Sequence, residues 1–244
     1  MRNVKIIIQY DGTDYHGWQI QPNGRTIQGE LTRVLSLLDH RHVTVHGAGR
    51  TDAGVHAEGQ VANFLLEHSF DPRELRDALN GNLDRDIRVI EVEFVDDSFN
   101  ARFSARRKTY RYRVWTGDVV SPFIRRYAHH YRGALDIQQM RVAASSLIGT
   151  HDFSAFTVST SEVSSHVRTL ERLDIEPFED GLSIIAVADG FLRYMVRTIA
   201  GTLIDVGRGH SSAAKVADIL ESRDRSRAGA MAPAAGLTLV RVDY

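Results

Sequence analysis

The sequence predicts an α+β protein with mainly antiparallel sheet, arranged as two halves that each mix strands and helices. Short β-rich runs such as VKIIIQY and LSIIAVA are spaced among longer windows with helical apolar periodicity. Two of those windows open on helix-start signals, at Asp71 and Asp136. The pattern weakens around Ala101 to Ala105 and restarts with a fresh strand, KTYRYRVW, which sets a first domain over 1–103 and a second over 104–244.

In the first half, VKIIIQY reads as a strand, and TIQGELTRVLSLL puts Ile27, Leu31, Val34, Leu35 and Leu38 on one face of a helix. HVTVHG and GQVANFLL are expected strands on either side of the stretch HGAGRTDAGVHA, so Arg50 and Asp52 fall in their connection. DPREL offers Asp71 as N-cap, Pro72 at the first helical position and Glu74 to close a capping box, for a helix running to about Asn80. IRVIEVEFV then alternates Ile90, Val92 and Phe94 against Glu91 and Glu93, as a strand with one wet face does.

The second half opens with KTYRYRVW, whose period sets Tyr110, Tyr112 and Val114 against Arg111, Arg113 and Trp115. A helix begins after Asp136, with Gln139 closing a capping box and Leu135 stapled onto Met140. SSHVRTLERLDI and LSIIAVA are strands, FLRYMVRTIAGTLIDVG and SAAKVADILES are helices, and LTLVRVDY is a closing strand. In the longer helix Leu192, Met195, Val196, Ile199 and Leu203 form the apolar face, and Arg197 points nearly opposite. A solvent face is the ordinary reading for Arg197, but Gly190, Tyr194, Gly201 and Ile204 make that side small and partly apolar, which suits a packed surface with Arg197 buried against a carboxylate.

The 244 residues are 43% hydrophobic and 25% charged, the composition of a globular chain with a substantial core. No cysteine is present, which excludes disulfides, thiolate metal sites and thiol catalysis. The first apolar run is too short for a signal peptide, and no run approaches the roughly 20 residues of a membrane span, so a cytoplasmic protein is expected. Net charge is −1, yet the stretch from Asn100 to Arg132 holds nine basic residues and the single acid Asp118. That concentration attracts a polyanion or forms a solvated face; charge alone does not choose.

GAGRTDAG fails as a phosphate loop, because Asp52 stands where a GxGxxG motif needs its third glycine and a carboxylate repels phosphate. None of the eleven histidines falls in a metal-ligand spacing, and no GxSxG elbow is present, so neither a metal nor a serine hydrolase is expected. Asp52 remains as the chemical group of interest. An ionised aspartate can serve as nucleophile or base, while on physical grounds alone an aspartate in a glycine-rich loop is first of all a turn residue. Tyrosines alternating with arginines in KTYRYRVW suit base stacking with phosphate contact, and equally a half-buried strand.

The stretches YDGTDYHGWQIQPNGRTIQGEL, GAGRTDAGVHAEGQVANF, FNARFSARRKTYRYRV, HDFSAF, FLRYMVRTIAGTLIDVG and MAPAAGLTLVRVDY resemble, in the same order, the tRNA pseudouridine synthase A family. The resemblance runs from Tyr10 to Tyr244. It departs from the family's usual residues at Asn63 and Asn100 (His), Asp84 (Pro) and Met231 (Thr).

This resemblance implies a pseudouridine synthase fold of two similar subdomains joined around a basic cleft. It also implies that uridine becomes pseudouridine at positions 38, 39 and 40 of the tRNA anticodon stem-loop. Asp52 is then the catalytic nucleophile, Arg50 helps extrude the target nucleotide, Tyr110 stacks on the flipped base, and Arg197 pairs with Asp52. A homodimer binding one tRNA across both subunits is implied, with no cofactor and no metal. The competing classes are a non-catalytic tRNA-binding protein or chaperone and an aspartate-based hydrolase.

Overall fold

The computed structural model describes residues 1–158 and 163–244. It divides into two compact units, residues 1–106 with 239–244, and residues 107–238. A division at 103/104 does not provide for the return of the last six residues to the first unit.

The first unit carries β1 (Arg2–Tyr10), α1 (Ile27–Leu38), β2 (His46–Gly47), β3 (His56–Leu66), α2 (Pro72–Asn82) and β4 (Ile87–Phe94). The second carries β5 (Arg107–Trp115), β6 (His129–His130), α3 (Ile137–Ser145), β7 (Gly149–Asp152), β8 (Val167–Phe178), β9 (Gly181–Ala188), α4 (Met195–Gly207) and α5 (Ala214–Ser222). The final strand, β10 (Leu237–Asp243), contributes its residues from Leu239 onward to the first unit. Strand order is β4-β1-β3-β10 in the first unit and β5-β9-β8-β7 in the second. The pairs β1–β3, β1–β4, β5–β9, β8–β9 and β7–β8 are antiparallel, and β6 runs parallel to β5. The α+β class with mainly antiparallel sheet is therefore the observed one.

In the first unit Val4, Ile6 and Ile8 of β1 are fully buried, as are Ile27, Leu31, Val34 and Leu35 of α1 and Leu75 and Leu79 of α2. The capping box of α2 is complete, with Asp71 and Glu74 each accepting from the other's backbone side. At α3 only half of the expected box forms among the described residues: Asp136 accepts from Gln139 N at 2.9 Å.

Three expectations need correction. HVTVHG forms strand only at His46–Gly47. Val43 and Val45 are buried, but Val43 N donates to Ser36 Oγ at 3.0 Å and Val45 O accepts from Gln28 Nε2 at 2.9 Å. Side chains of α1 thus satisfy a backbone that a ladder would otherwise have to satisfy. In β4, Ile7 faces Glu91 while Ile8 faces Val89, so Ile90 is an extra residue in a bulge. The bulge resets the phase: Ile87 and Val89 are buried, whereas Ile90 and Phe94 are exposed. Finally, α4 starts at Met195 rather than Phe191, because Tyr194 adopts the left-handed conformation at φ 64°. A side-chain-bearing residue there costs about 1–2 kcal/mol and interrupts the helix.

The two-residue β6 and the four-residue β7 were not anticipated, being too short for an alternation pattern. Among the described residues, no helix is long and apolar enough to cross a membrane.

Helix α4 is covered on nearly every side, with Arg197, Thr198, Ala200 and Thr202 buried alongside the apolar face. The cover on the small side is the chain's own segment Gly229–Ala232. A Cβ on Gly201 would overlap Ala230 O, and one on Gly229 would press on the α4 backbone at Thr202. Gly201→Ala is therefore expected to lower unfolding free energy in urea by about 2 kcal/mol, since the clash is with backbone and no side-chain rotation relieves it.

Candidate active site

The loop HGAGRTDAGVHA lies between β2 and β3, and residues on both sides of Arg50 and Asp52 are pinned. Ala48 N donates to Val61 O at 2.8 Å, and Gln60 Nε2 donates to Gly49 O at 2.9 Å. Thr51 is held twice, its hydroxyl 2.8 Å from the Tyr10 hydroxyl and its carbonyl accepting from Trp18 N at 3.0 Å. Gly54 N reaches Tyr15 O at 3.3 Å, and His56 Nδ1 accepts from Gly12 N at 3.1 Å.

What comes close to this loop is the segment between β1 and α1. A Cβ on Gly12 would overlap Val55 O, and one on Gly17 would stand 2.6 Å from Thr51 O. Backbone therefore lies directly on backbone, which only glycine permits. Trp18 is buried beneath, against Gly47, with its ring 6.4 Å from that of Tyr10.

Asp52 itself is half-buried. Its carbonyl accepts from Val55 N at 3.1 Å, closing a turn in which Gly54 sits at φ 77°. Arg50 is exposed, with Nε donating to Gln19 Oε1 at 3.1 Å.

Tyr110 and Arg197 belong to the second unit. Tyr110 pairs with Ala186 in the β5–β9 ladder, is 7% exposed and meets Phe191 edge-on at 5.1 Å. Tyr112, on the same face of β5, is fully buried and donates to Pro233 O at 2.9 Å. Burial pushes its phenol well above the usual range, opposed by the Arg197 charge.

Arg197 is buried, as its small-sided helix suggested, at 9% exposure. Its Nε donates to Ala232 O at 2.8 Å, and its carbonyl accepts from Ala232 N at 3.0 Å. The guanidinium lies 5.6 Å from the centre of the Tyr194 ring. The four expected site residues thus fall as two pairs, Arg50 with Asp52 in the first unit and Tyr110 with Arg197 in the second.

The basic stretch from Asn100 to Arg132 is largely exposed, including Arg102, Arg106, Arg125, Arg126 and Arg132. Arg107 is drawn into an ion pair with Glu171 at 2.7 Å, and Arg113 stacks over Phe178 at 4.4 Å. Phe103 and Phe123 stand out from the same stretch at 80% and 88% exposure. Among the described residues no group of three or more His, Asp or Glu is placed to hold a metal ion.

Sequence reasoning missed the supports of the loop: Tyr10, Trp18 and Gln60 below it, and Gly12 and Gly17 against it. The only signal was the glycine-and-aromatic run YDGTDYHGW, whose meaning depends on a partner some 40 residues away. Two of the departures from the family pattern have structural work. Asn63 is buried, donating to Asn3 Oδ1 and accepting from Ala101 N at 2.8 Å, and Asn100 Oδ1 accepts from Arg102 N at 2.9 Å.

A family model described as tRNA pseudouridine synthase matches residues 6–104 and 143–244. The chain belongs to that family: it is an enzyme, an isomerase of uridine to pseudouridine in tRNA, with the corresponding α+β fold. Among similar proteins, tRNA pseudouridine synthase A of Thermoanaerobacter sp. (strain X514) is 47% identical over the full length of both chains. The protein of that name from Bacillus subtilis (strain 168) is 45% identical over 99% of this chain and 98% of its own. That from Acetivibrio thermocellus is 45% identical over the whole of both.

The Tyr10 phenol, buried under the loop, is pushed up to about 12 by desolvation, against the hydrogen bonds of Thr51 and Gln60. A tyrosine whose folded pKa exceeds its unfolded value stabilises fully below the unfolded value, near 10, and loses that contribution as pH rises through the folded one. Unfolding free energy should fall between pH 10 and 12, and Tyr10→Phe should fall less by about 2 kcal/mol. Urea titrations of both proteins at pH 9 and pH 12 measure the difference.

Proposed function

We propose that this enzyme modifies positions 38, 39 and 40 of the tRNA anticodon stem-loop, with Asp52 as the nucleophile acting on a flipped-out uridine. Uracil inside a stack is closed to attack, so the nucleotide must first leave it. Arg50, exposed beside Asp52, fills the gap or prises it open. Tyr110 stacks on the extruded base, and Arg197 pairs with Asp52 and favours its ionised form.

The Asp52 carboxylate bonds to the nucleotide as the glycosidic bond from C1′ to N1 breaks, the ring turns, a bond from C1′ to C5 forms, and the bond to the carboxylate breaks to release it. The C5 hydrogen leaves as a proton and N1 gains one. The exchange is redox-neutral and needs neither cofactor nor metal.

The observation that carries this reading is the doubly held Thr51 beside Asp52, within a chain of the synthase family. Pinning the neighbour of a reactive side chain is what preorganised catalysis asks of a loop. The enzyme is further taken to be a cytoplasmic homodimer, with one tRNA lying across both subunits. The number of exposed arginines between Arg102 and Arg132, larger than one uridine pocket uses, supports that extended contact.

Asp52→Asn should cut tritium release from 5-tritiated uridine in tRNA by at least about a thousandfold while tRNA binding changes little. Release at the wild-type rate would remove Asp52 from the chemistry. Exposed arginines should set the salt dependence of binding. Arg125→Glu combined with Arg132→Glu should weaken tRNA binding at low salt and flatten the slope of log K against log salt by about 2. An unchanged slope in a filter-binding series would make those residues an ordinary solvated face.

A further inference from the structure

Among the described residues Tyr194 is one of four non-glycine residues with positive φ, and it stands at the start of the helix that bears Arg197. The left-handed region is costly for a tyrosine, and such costs persist where surrounding contacts over-determine the residue. The contacts here are specific. Arg193 lies over the Tyr194 ring at 4.8 Å, and its Nη2 donates to the Tyr194 hydroxyl at 2.9 Å. Arg197 lies over the same ring at 5.6 Å. The carbonyl of Tyr194 accepts from Thr198 N at 2.9 Å, and Thr157 Oγ1 donates to Arg193 O at 2.9 Å, so the strained turn is tied at both ends.

From these contacts we infer that Tyr194 is a positioning residue for Arg197 in the isomerisation, its ring fixing the direction of the guanidinium. The left-handed turn swings the Tyr194 side chain out of the helical path, so the ring meets the guanidinium one turn's start away instead of following the helix face. A guanidinium over an aromatic face is held by the ring's quadrupole, more strongly where water is excluded. Ala232 O fixes Nε from one direction and the ring supplies a second constraint. Two constraints leave a planar, forked cation few orientations, which is what a directional partner for a carboxylate needs. The inference rests on the reading that Arg197 serves the catalytic carboxylate.

Tyr194→Asn is the informative variant, because asparagine adopts the left-handed region readily and so keeps the backbone while removing the ring. Tyr194→Phe keeps the ring and removes only the bond from Arg193. With tRNA as substrate, Tyr194→Asn should lower kcat about tenfold with KM within about twofold, and Tyr194→Phe should restore kcat to near wild type. A wild-type kcat in Tyr194→Asn overturns the inference. So does a raised KM with kcat retained, which would make Tyr194 an RNA contact, or a Phe variant as slow as the Asn variant. Arg197→Met, measured alongside, separates the layers. If it turns over normally, the role of Arg197 itself fails; if it is impaired while Tyr194→Asn is not, only the positioning role fails.

Discussion

Backbone lying on backbone governs the first unit. Residues 51–55 rest against Gly12 and Gly17 with no side chain between, and the Trp18 amide and Tyr10 hydroxyl both grip Thr51. Any side chain at Gly12 or Gly17 would lift the loop away from its hydrogen bonds. The burial of Trp18 against Gly47, the approach of Gln60 to Gly49 and the position of Asp52 all follow from that seating. The glycines around this loop are thus partly explained by the protein's own chain.

The second unit solves a related problem with a strap. Arg197 is a buried cation on a helix covered nearly all round, and burying a charge is costly unless it is hydrogen-bonded. The segment Gly229–Ala232 contributes to that need through Ala232 O, which accepts from Nε, while Ala232 N donates to the Arg197 carbonyl and holds the segment in place. Gly229 N is itself tied to Thr202 Oγ1 at 3.0 Å, and Tyr112 holds Pro233 O just beyond. Gly201 is small so that this strap can lie flat on the helix. A serviceable guanidinium therefore depends on residues far from it in sequence, Ala232 on one side and Tyr112 on the other.

The fold was largely legible because its elements are locally consistent: the α1 apolar stripe, the α2 capping box and the β5 alternation each read the same alone as in place. Where reading failed, a nonlocal partner had replaced a local rule. Val43 and Val45 alternate like a strand, yet Ser36 and Gln28 take the hydrogen bonds that a neighbouring strand would have taken. Ile90 looks like a core position until the bulge against β1 turns it outward. Asp52 was visible as a carboxylate in a glycine-rich loop, but spacing favoured a turn residue, and the resemblance alone raised it to a catalyst. Tyr10 and Gln60 were invisible as supports, since nothing near them in sequence marks them as facing residues 49–51.

Tyr194 illustrates how a departure from local preference and a functional demand coincide. A helix continuing through residues 191–194 would have been the cheaper local solution, and the apolar periodicity of FLRYMVRTIAGTL favours it. The left-handed residue instead starts the helix at Met195, one turn's fraction before Arg197, and lays an aromatic face beside the guanidinium. Strain of this kind is sustained by the bonds at Thr157, Arg193 and Thr198 around it. An enzyme gains rate from how firmly its charged groups are aimed before substrate arrives. On that ground, a structure that spends stability on directing one arginine is consistent with the chemistry proposed for it.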